Sequence, residues 1–180
     1  MRSPCDCSTW SIAESDVRPL TETDIRSSFV NATQGEVARM PLPGLHEAMW
    51  DQREYLGWRD PGAPLRGYLV HWDGDVPVGI VLRASEVALA HGITAMCSLC
   101  RTPQPSGQVT LFSAPRAGQA GRDGNTVGTY ICDDLACSHI IRMLPHSRPP
   151  HADPAEIVEQ RATALLERVS AFTSGVRRTA

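Results

Sequence analysis

Polar and apolar positions near the start of the chain follow the pattern of two short helices. Thr21 with Asp24, and Thr33 with Glu36, each match a capping box, in which the two residues close the start of a helix reciprocally. Apolar residues one helical turn apart follow each cap. The pattern predicts one helix at about 22–30 and a second that begins after Thr33.

The middle of the chain has the pattern of antiparallel hairpins. Asp73-Gly74 between two β-branched, apolar runs is a strong hairpin signal. A second pair of such runs encloses residues 116–125, whose glycines suit a flexible hairpin tip rather than a helix. The four strands are predicted at residues 67–72, 78–83, 109–112 and 127–131. We expect the two hairpins to pair into one sheet.

Other segments carry weaker patterns. Residues 1–18 are polar and are predicted to be a flexible tail, and residues 45–55 are predicted to be helical. Residues 56–64 are turn-rich, with Trp58 expected to fill the core beneath them. Cys5 and Cys7, in the tail, are given no ligand role.

The last part of the chain predicts one long amphipathic helix. Residues 145–154 form a proline-rich connector, and Asp153-Pro154 is a good helix start, with Asp as the cap and Pro at the first position. The helix is predicted at residues 153–176. Its apolar stripe is expected to pack on the sheet, with binding to a partner as the alternative. The stripe consists of Val158, Ala162, Leu165, Val169, Phe172 and Val176.

Two cysteine pairs carry the clearest chemistry in the chain. Cys97 and Cys100 have the two-residue gap of a zinc knuckle, and Cys132 and Cys137 form a second close pair. Four thiolates hold Zn²⁺ in a closed tetrahedral site with no position left for a substrate, so one structural zinc is predicted. The alternatives are ordinary buried cysteines or two disulfides.

The order of the elements around the cysteines predicts the fold of this part. A knuckle at residues 96–100 precedes the second hairpin, and a helix is expected to begin with Cys132 and Cys137, with Asp133 and Asp134 in its first turn. A turn is expected at residues 103–107 between the knuckle and the hairpin. Knuckle, hairpin and helix is the order of a treble-clef zinc finger. The predicted class is therefore α+β, with antiparallel hairpins, flanking helices and a treble-clef zinc finger whose folding depends on the metal.

Composition and charge narrow the class of protein. The chain has 180 residues and 42% hydrophobic content, which is enough for one ordinary domain with a core. No apolar run is long enough to span a membrane and no signal-peptide pattern opens the chain, so a cytoplasmic protein is expected. The net charge of −3 argues against nucleic acid as a partner.

Several short motifs together resemble the FBP domain family. That family is the C-terminal treble-clef zinc-finger domain of elongation factor G-binding proteins, which include the FusB-type fusidic-acid-resistance proteins. The similarity covers about residues 19–172, and the glycine-rich run before Cys132 is its most specific part. The motifs are Pro19-Leu20-Thr21, Asp24-Ile25-Arg26, Ser28-Phe29-Val30-Asn31, Leu56-Gly57-Trp58-Arg59-Asp60-Pro61, Met96-Cys97-Ser98-Leu99-Cys100 and residues 121–132 through Cys137-Ser138.

The resemblance implies a zinc protein that binds elongation factor G and modulates its release from the ribosome. It places the zinc ligands at Cys97, Cys100, Cys132 and Cys137. It also implies a single domain at 19–172, made of helices and a hairpin at 19–95, the zinc finger at 96–144 and the C-terminal helix. Resistance proteins of this type have a further helical N-terminal domain, whereas a short tail precedes Thr21 here. Factor binding is therefore expected without resistance.

Two other classes of function compete with partner binding. An RNA-binding zinc finger without factor binding is the alternative, but the predicted hairpin tip lacks interleaved aromatic residues. A redox enzyme would use Cys97 and Cys100, yet no βαβ pattern surrounds them and no histidine has a nucleophile partner. His139 is expected at the surface rather than as a ligand. No enzymatic activity, small-molecule substrate or membrane contact is predicted.

The surface for the partner is predicted at the tip of the second hairpin. Arg116 and Arg122 can pair with carboxylates, and Asn125 and Tyr130 lie on the same hairpin. The glycines there would let the backbone approach a partner closely. The alternative is structural, with the glycines shaping the hairpin and Arg122 paired internally with Asp134.

Overall fold

The computed structural model of the protein describes residues 18–144, 151 and 153–178. Residues 1–17 of the predicted tail, with Cys5 and Cys7, and residues 145–150 and 152 of the predicted connector lie outside these ranges. The strands are β1 (Leu56–Asp60), β2 (Ala63–Asp73), β3 (Val76–Ala84), β4 (Thr94–Met96), β5 (Pro103–Pro105), β6 (Val109–Pro115) and β7 (Thr126–Cys132). The helices are α1 (Glu22–Ser28), α2 (Gln34–Arg39), α3 (Gly118–Arg122), α4 (Cys137–Arg142) and α5 (Pro154–Arg177).

Five strands form one antiparallel sheet in the order β1-β2-β3-β6-β7. Both predicted hairpins are present, and pairing of β3 with β6 at Arg83–Ser113 and Ala84–Phe112 joins them into one sheet, as expected. Gly74 and Asp75 form the β2–β3 turn, one residue later than predicted. Gly74 has a φ of +61°, which glycine adopts without a steric penalty.

Alternate residues of β2 are buried on opposite faces of the sheet. Tyr68 and Val70 belong to an apolar cluster under α1 and α2, together with Ile25. Leu69 belongs to a second, larger cluster with α5 and the four paired cysteines. Because successive side chains of a strand point to opposite faces, a strand with both faces covered reads as a continuous apolar run. The sheet thus lies between the N-terminal helices and α5.

The two N-terminal helices begin where the capping signals predict. Thr21 and Asp24 form a complete capping box at α1, and Thr33 and Glu36 form another at α2. Asn31, between these helices, bonds to the edges of two strands. Its side-chain amide donates to the Val81 and Pro115 carbonyls, both at 3.0 Å, and its side-chain oxygen accepts from the Val81 amide at 2.8 Å. These bonds fix the N-terminal helices on the sheet.

The C-terminal helix α5 begins at Pro154, with Asp153 accepting a hydrogen bond from the Ala155 amide at 2.9 Å. The predicted cap, the proline at the first position and the packing of the helix on the sheet are confirmed. Buried residues of α5 are Leu165, Val169, Phe172, Thr173 and Val176. Among the described residues, no helix has both the length and the apolar character needed to cross a membrane.

Four local predictions were wrong. The turn-rich residues 56–64 begin with strand β1, because Leu56 and Trp58 alternate toward the core under α1. Residues 45–55 form two single 3-10 turns, at Leu45–Glu47 and Trp50–Gln52, rather than a helix. Part of the predicted turn at 103–107 is the short strand β5, paired with β4. The hairpin tip contains α3 despite its glycines.

Candidate metal centre

The first cysteine pair lies in a tight turn between β4 and β5. Amide hydrogens of Leu99 and Cys100 both point at the Cys97 sulfur, at 3.4 Å. Arg101 follows with a φ of +56°, and its amide donates to the Cys97 carbonyl at 3.0 Å. Amide donors directed at a sulfur stabilise its thiolate form, which is the form that binds metal. The turn therefore has the local geometry of a zinc knuckle.

The second pair joins the end of a strand to the start of a helix. Cys132 is the last residue of β7, and Cys137 is the first residue of α4. The prediction that both begin a helix was wrong for Cys132, because residues 133–135 form a turn in which Leu135 has a φ of +59°. Asp133 and Asp134 lie in that turn, where the Asp134 carboxylate accepts from the Ala136 amide at 2.9 Å.

The four sulfurs converge on one point. They lie within 4.8 Å of one another, and two contacts, Cys97–Cys137 and Cys100–Cys132, are 3.6 Å long. Zinc–sulfur bonds of about 2.3 Å to the corners of a tetrahedron place sulfurs about 3.8 Å apart, so the cluster has the size that Zn²⁺ requires. All four side chains are buried. A set of four thiolates leaves no coordination position for a substrate, and the centre is a structural zinc site.

Protons on the cysteine sulfurs compete with a cation at the centre of the cluster. The contact with Cys132 lowers the pKa of the Cys100 thiol, and the same contact raises the pKa of the Cys132 thiol. Without a metal, protons shared between neighbouring sulfurs therefore limit the negative charge of the buried cluster. A divalent cation removes this restriction, so zinc binding should release protons and weaken at low pH.

A buried glutamine contacts the centre from β5. The side-chain amide of Gln104 donates to the Cys132 sulfur at 3.1 Å, and Gln104 is 7% exposed. Hydrogen bonds from outside the ligand set orient ligands and tune the metal. The short strand β5, where a turn was expected, thus brings this donor to the metal centre.

The turn between Cys132 and Cys137 rests directly on β1 and β2. Two glycines make room for it, because a Cβ on Gly57 would lie 2.6 Å from the Leu135 carbonyl oxygen and a Cβ on Gly67 would lie 2.9 Å from the Leu135 side chain. The Tyr55 hydroxyl donates to the same carbonyl at 2.8 Å and accepts from the Cys137 amide at 3.3 Å. The sheet therefore holds the second cysteine pair in position.

Sequence reasoning missed Tyr55, Gly57 and Gln104 as parts of this centre. Gly57 stands in one of the motifs quoted for the family resemblance, which was the available signal for it. Tyr55 is distant from the cysteines along the chain, and Gln104, although it follows Cys100 by four residues, contacts Cys132 of the other pair. No spacing rule links either residue to the metal. His139, as expected, is exposed and is not among the clustered ligands.

The residues predicted for the partner surface do not form one group. Arg116 donates to the carbonyls of Gly175, at 2.7 Å, and Arg178, at 3.1 Å, so it binds the end of α5 instead of extending from a mobile tip. Arg122 donates to the Gln119 side chain at 2.9 Å, and no ion pair with Asp134 is present among the described residues.

Asn125 and Tyr130 are both exposed on the second hairpin. Tyr130 lies on the outer face of β7, opposite Leu111 of β6. Tyr130 is 39% exposed and Leu111 is 37% exposed. The knuckle is adjacent, because the Ser98 amide donates to the Tyr130 carbonyl at 2.7 Å. Outward-facing apolar side chains thus lie beside the metal centre.

Comparisons with known proteins agree with this geometry. The sequence profile of the FBP C-terminal treble-clef zinc-finger family matches residues 24–176, which include all four clustered cysteines. No curated protein matches the chain significantly. Among solved structures, that of the fusidic acid resistance protein FusC is similar in fold, with a TM-score of 0.52 and 17% sequence identity. The match covers 79% of this chain and 54% of FusC, so the chain spans about half the length of that protein.

Proposed function

The chain belongs to the FBP C-terminal treble-clef zinc-finger family, and from this membership we propose that it binds elongation factor G and modulates the release of the factor from the ribosome. The family match over most of the described residues is the observation that carries the proposal. The similar fold of a fusidic acid resistance protein agrees with it. The protein would then act in the cytoplasm, where ribosomes are found.

The metal centre supports a binding protein over an enzyme. Its four sulfurs are buried and fill a tetrahedral set, so the zinc offers no open position for a water or a substrate. Tyr55 holds the turn between the ligands Cys132 and Cys137 on the sheet, so the zinc has a structural role. We therefore propose that the zinc shapes a surface for a protein partner and that the protein has no hydrolytic or redox turnover.

We place the partner surface on the outer face of the β6–β7 hairpin. Tyr130 and Leu111 present apolar area there, and aromatic residues are enriched where proteins meet. Arg122 and Asn125, at the tip of the same hairpin, supply polar groups. Arg116 is excluded as a probe of this surface, because its bonds to the end of α5 make it part of the fold.

Calorimetric titration of elongation factor G into the zinc-loaded protein tests the proposal. We expect saturable binding that weakens at least tenfold in the double variant Arg122→Glu, Tyr130→Ala. Arg39→Glu is the control, since it reverses an exposed charge on α2, away from the hairpin. Zinc content and thermal stability should stay unchanged in all variants.

A second measurement tests the effect on the ribosome. Factor bound to ribosomes should dissociate faster when the wild-type protein is added, as followed by sedimentation. Absence of factor binding by the zinc-loaded wild type would refute the proposal. Capture of RNA alone would support the alternative of an RNA-binding zinc finger, and unchanged affinity in the double variant would place the interface elsewhere.

A further inference from the structure

A groove runs beside the first half of α5, and no residue of the second hairpin lines it. It has a volume of about 820 Å³. One wall consists of α5 residues at helical spacing, Ala155, Val158, Ala162 and Leu166. With a rise of 1.5 Å per residue, this wall is about 17 Å long. We call this cleft the α5 groove.

The opposite wall of the α5 groove is also apolar. The half-buried indoles of Trp50 and Trp72 line it, and the buried side chains of Leu56 and Val70 lie behind them. The Trp72 ring is held in place, because its Nε1 donates to the Arg18 carbonyl at 2.7 Å and the Arg18 guanidinium lies 4.3 Å from the ring centre. The apolar wall is therefore preformed.

The groove is also lined by charged side chains, which differ in how free they are to pair with a ligand. Arg142 and Glu54 form a bidentate pair, with distances of 2.9 and 3.0 Å, and the Glu54 side chain is only 5% exposed. Arg53 also lines the groove and is partly buried, but within the described residues it forms no ion pair. The acidic residues Asp51 and Glu159 are exposed to water. Arg18, the remaining arginine of the lining, stacks on Trp72 and pairs with Asp75, which leaves Arg53 as the cation that a bound anion can reach.

We propose that the α5 groove binds a small amphipathic carboxylate, with its apolar body between α5 and the tryptophan wall and its carboxylate on Arg53. The volume lies within the range of about 300–1,000 Å³ that small-ligand sites occupy. A stable interface with a protein partner needs about 800 Å² on each side. A groove about 17 Å long would have to be about 47 Å wide to provide that area, so a small molecule fits the groove better than a protein. A guanidinium binds a carboxylate through two parallel hydrogen bonds, which makes it the matching group.

This proposal is independent of elongation factor G binding. The groove and the second hairpin share no residue, so either proposal can fail alone. The probes are decanoate, which has a carboxylate on an aliphatic chain, and 1-decanol, which keeps the chain without the charge. Binding to the full zinc-loaded protein is followed by calorimetry and by the fluorescence of the groove tryptophans.

Two variants and one control make the test specific. Arg53→Gln should weaken decanoate binding by about ten- to a hundredfold, the effect of losing a charged hydrogen bond, and should change decanol binding less than twofold. Thr163→Trp, at an exposed position lining the groove, should abolish binding of both probes by filling the space. Arg83→Gln, an exposed arginine outside the groove, should change neither.

Three outcomes would overturn the proposal. The first is the absence of saturable decanoate binding to the wild type. The second is an equal loss of decanoate and decanol affinity in Arg53→Gln, which would show that the carboxylate is not recognised. The third is a dimer in sedimentation experiments that Thr163→Trp dissociates, since the groove would then be an interface between copies of the chain.

Discussion

The hydroxyl of Tyr55 offers a sharp test of how the sheet holds the metal centre. Tyr55→Phe removes one oxygen and keeps the ring, which is buried at 3% exposure. That oxygen donates to the Leu135 carbonyl and accepts from the Cys137 amide. The substitution therefore leaves a carbonyl and an amide of the zinc-binding turn without these partners, while the apolar packing persists.

The structure sets the size of the effect. A buried polar group left without a partner costs about 1–3 kcal/mol, so the two groups together should lower the free energy of unfolding by about 2–6 kcal/mol. Loss of a supporting contact to a metal ligand weakens metal affinity by about 10–100-fold. We expect both effects in Tyr55→Phe, since Cys137 is itself a predicted ligand.

Tyr68→Phe is the matched control. Tyr68 is buried at 2% exposure, and its hydroxyl donates to the Asp60 carboxylate at 2.8 Å in the cluster under α1 and α2. Its loss should cost about 1–2 kcal/mol without touching the metal centre. Urea unfolding in excess zinc measures stability, and competition with a chelator measures zinc affinity.

Zinc affinity depends on folding as well as on the ligands, and the control separates the two. Tyr68→Phe shows how far a loss of stability alone weakens zinc binding. Tyr55→Phe should weaken it at least tenfold more than its own loss of stability accounts for. If both variants follow the same relation between stability and zinc affinity, the idea that Tyr55 positions the second cysteine pair is refuted.

Three further predictions concern other parts of the fold. Cys132→Ser, or a chelator, should remove zinc and abolish the near-ultraviolet circular dichroism of the folded protein; a chelated protein with an unchanged spectrum would contradict this. Gly57→Ala should cost about 1–3 kcal/mol by overpacking against Leu135, whereas Gly107→Ala, with open space around it, should be neutral in the same denaturation assay. Burial lowers the pKa of His71 below that of an unfolded chain, so its contribution to stability is complete above about pH 6.5 and is lost as the pH falls toward the folded-state value. Urea midpoints between pH 7.5 and 5 should therefore fall less in His71→Asn than in the wild type, and equal slopes would contradict the assignment.

The sequence was most informative where local rules act. Capping boxes, the hairpin at Gly74 and the start of α5 depend on residues a few positions apart, and all three are present. The cysteine spacing likewise pointed to the cluster that the structure brings together. Each of these features is decided by geometry within a few residues of the chain.

Predictions failed where distant parts of the chain decide the outcome. β1 looked like a turn-rich segment because of its Gly and neighbouring Pro, yet its pairing with β2 and its burial under α1 make it a strand. The tip of the second hairpin forms α3, and Gly121 there passes so close to the Arg116 carbonyl that a Cβ would not fit. The buried His71, which bonds to Trp72 and to Thr173 of α5, could not be recognised without knowing that α5 crosses β2.

The contacts around the zinc site indicate that the metal stabilises the whole core between the sheet and α5. The sequence pattern predicts that the dependence on metal is confined to residues 96–144, as for a small separate module. In the structure, Arg168 of α5 donates to the Leu99 carbonyl of the knuckle at 2.7 Å, and Arg161 donates to Thr102 at 3.0 Å. The four cysteines belong to the same buried cluster as the sheet and α5. Loss of the metal would therefore open a core that β2, β3 and α5 share, so cooperative unfolding of that core is the expected consequence.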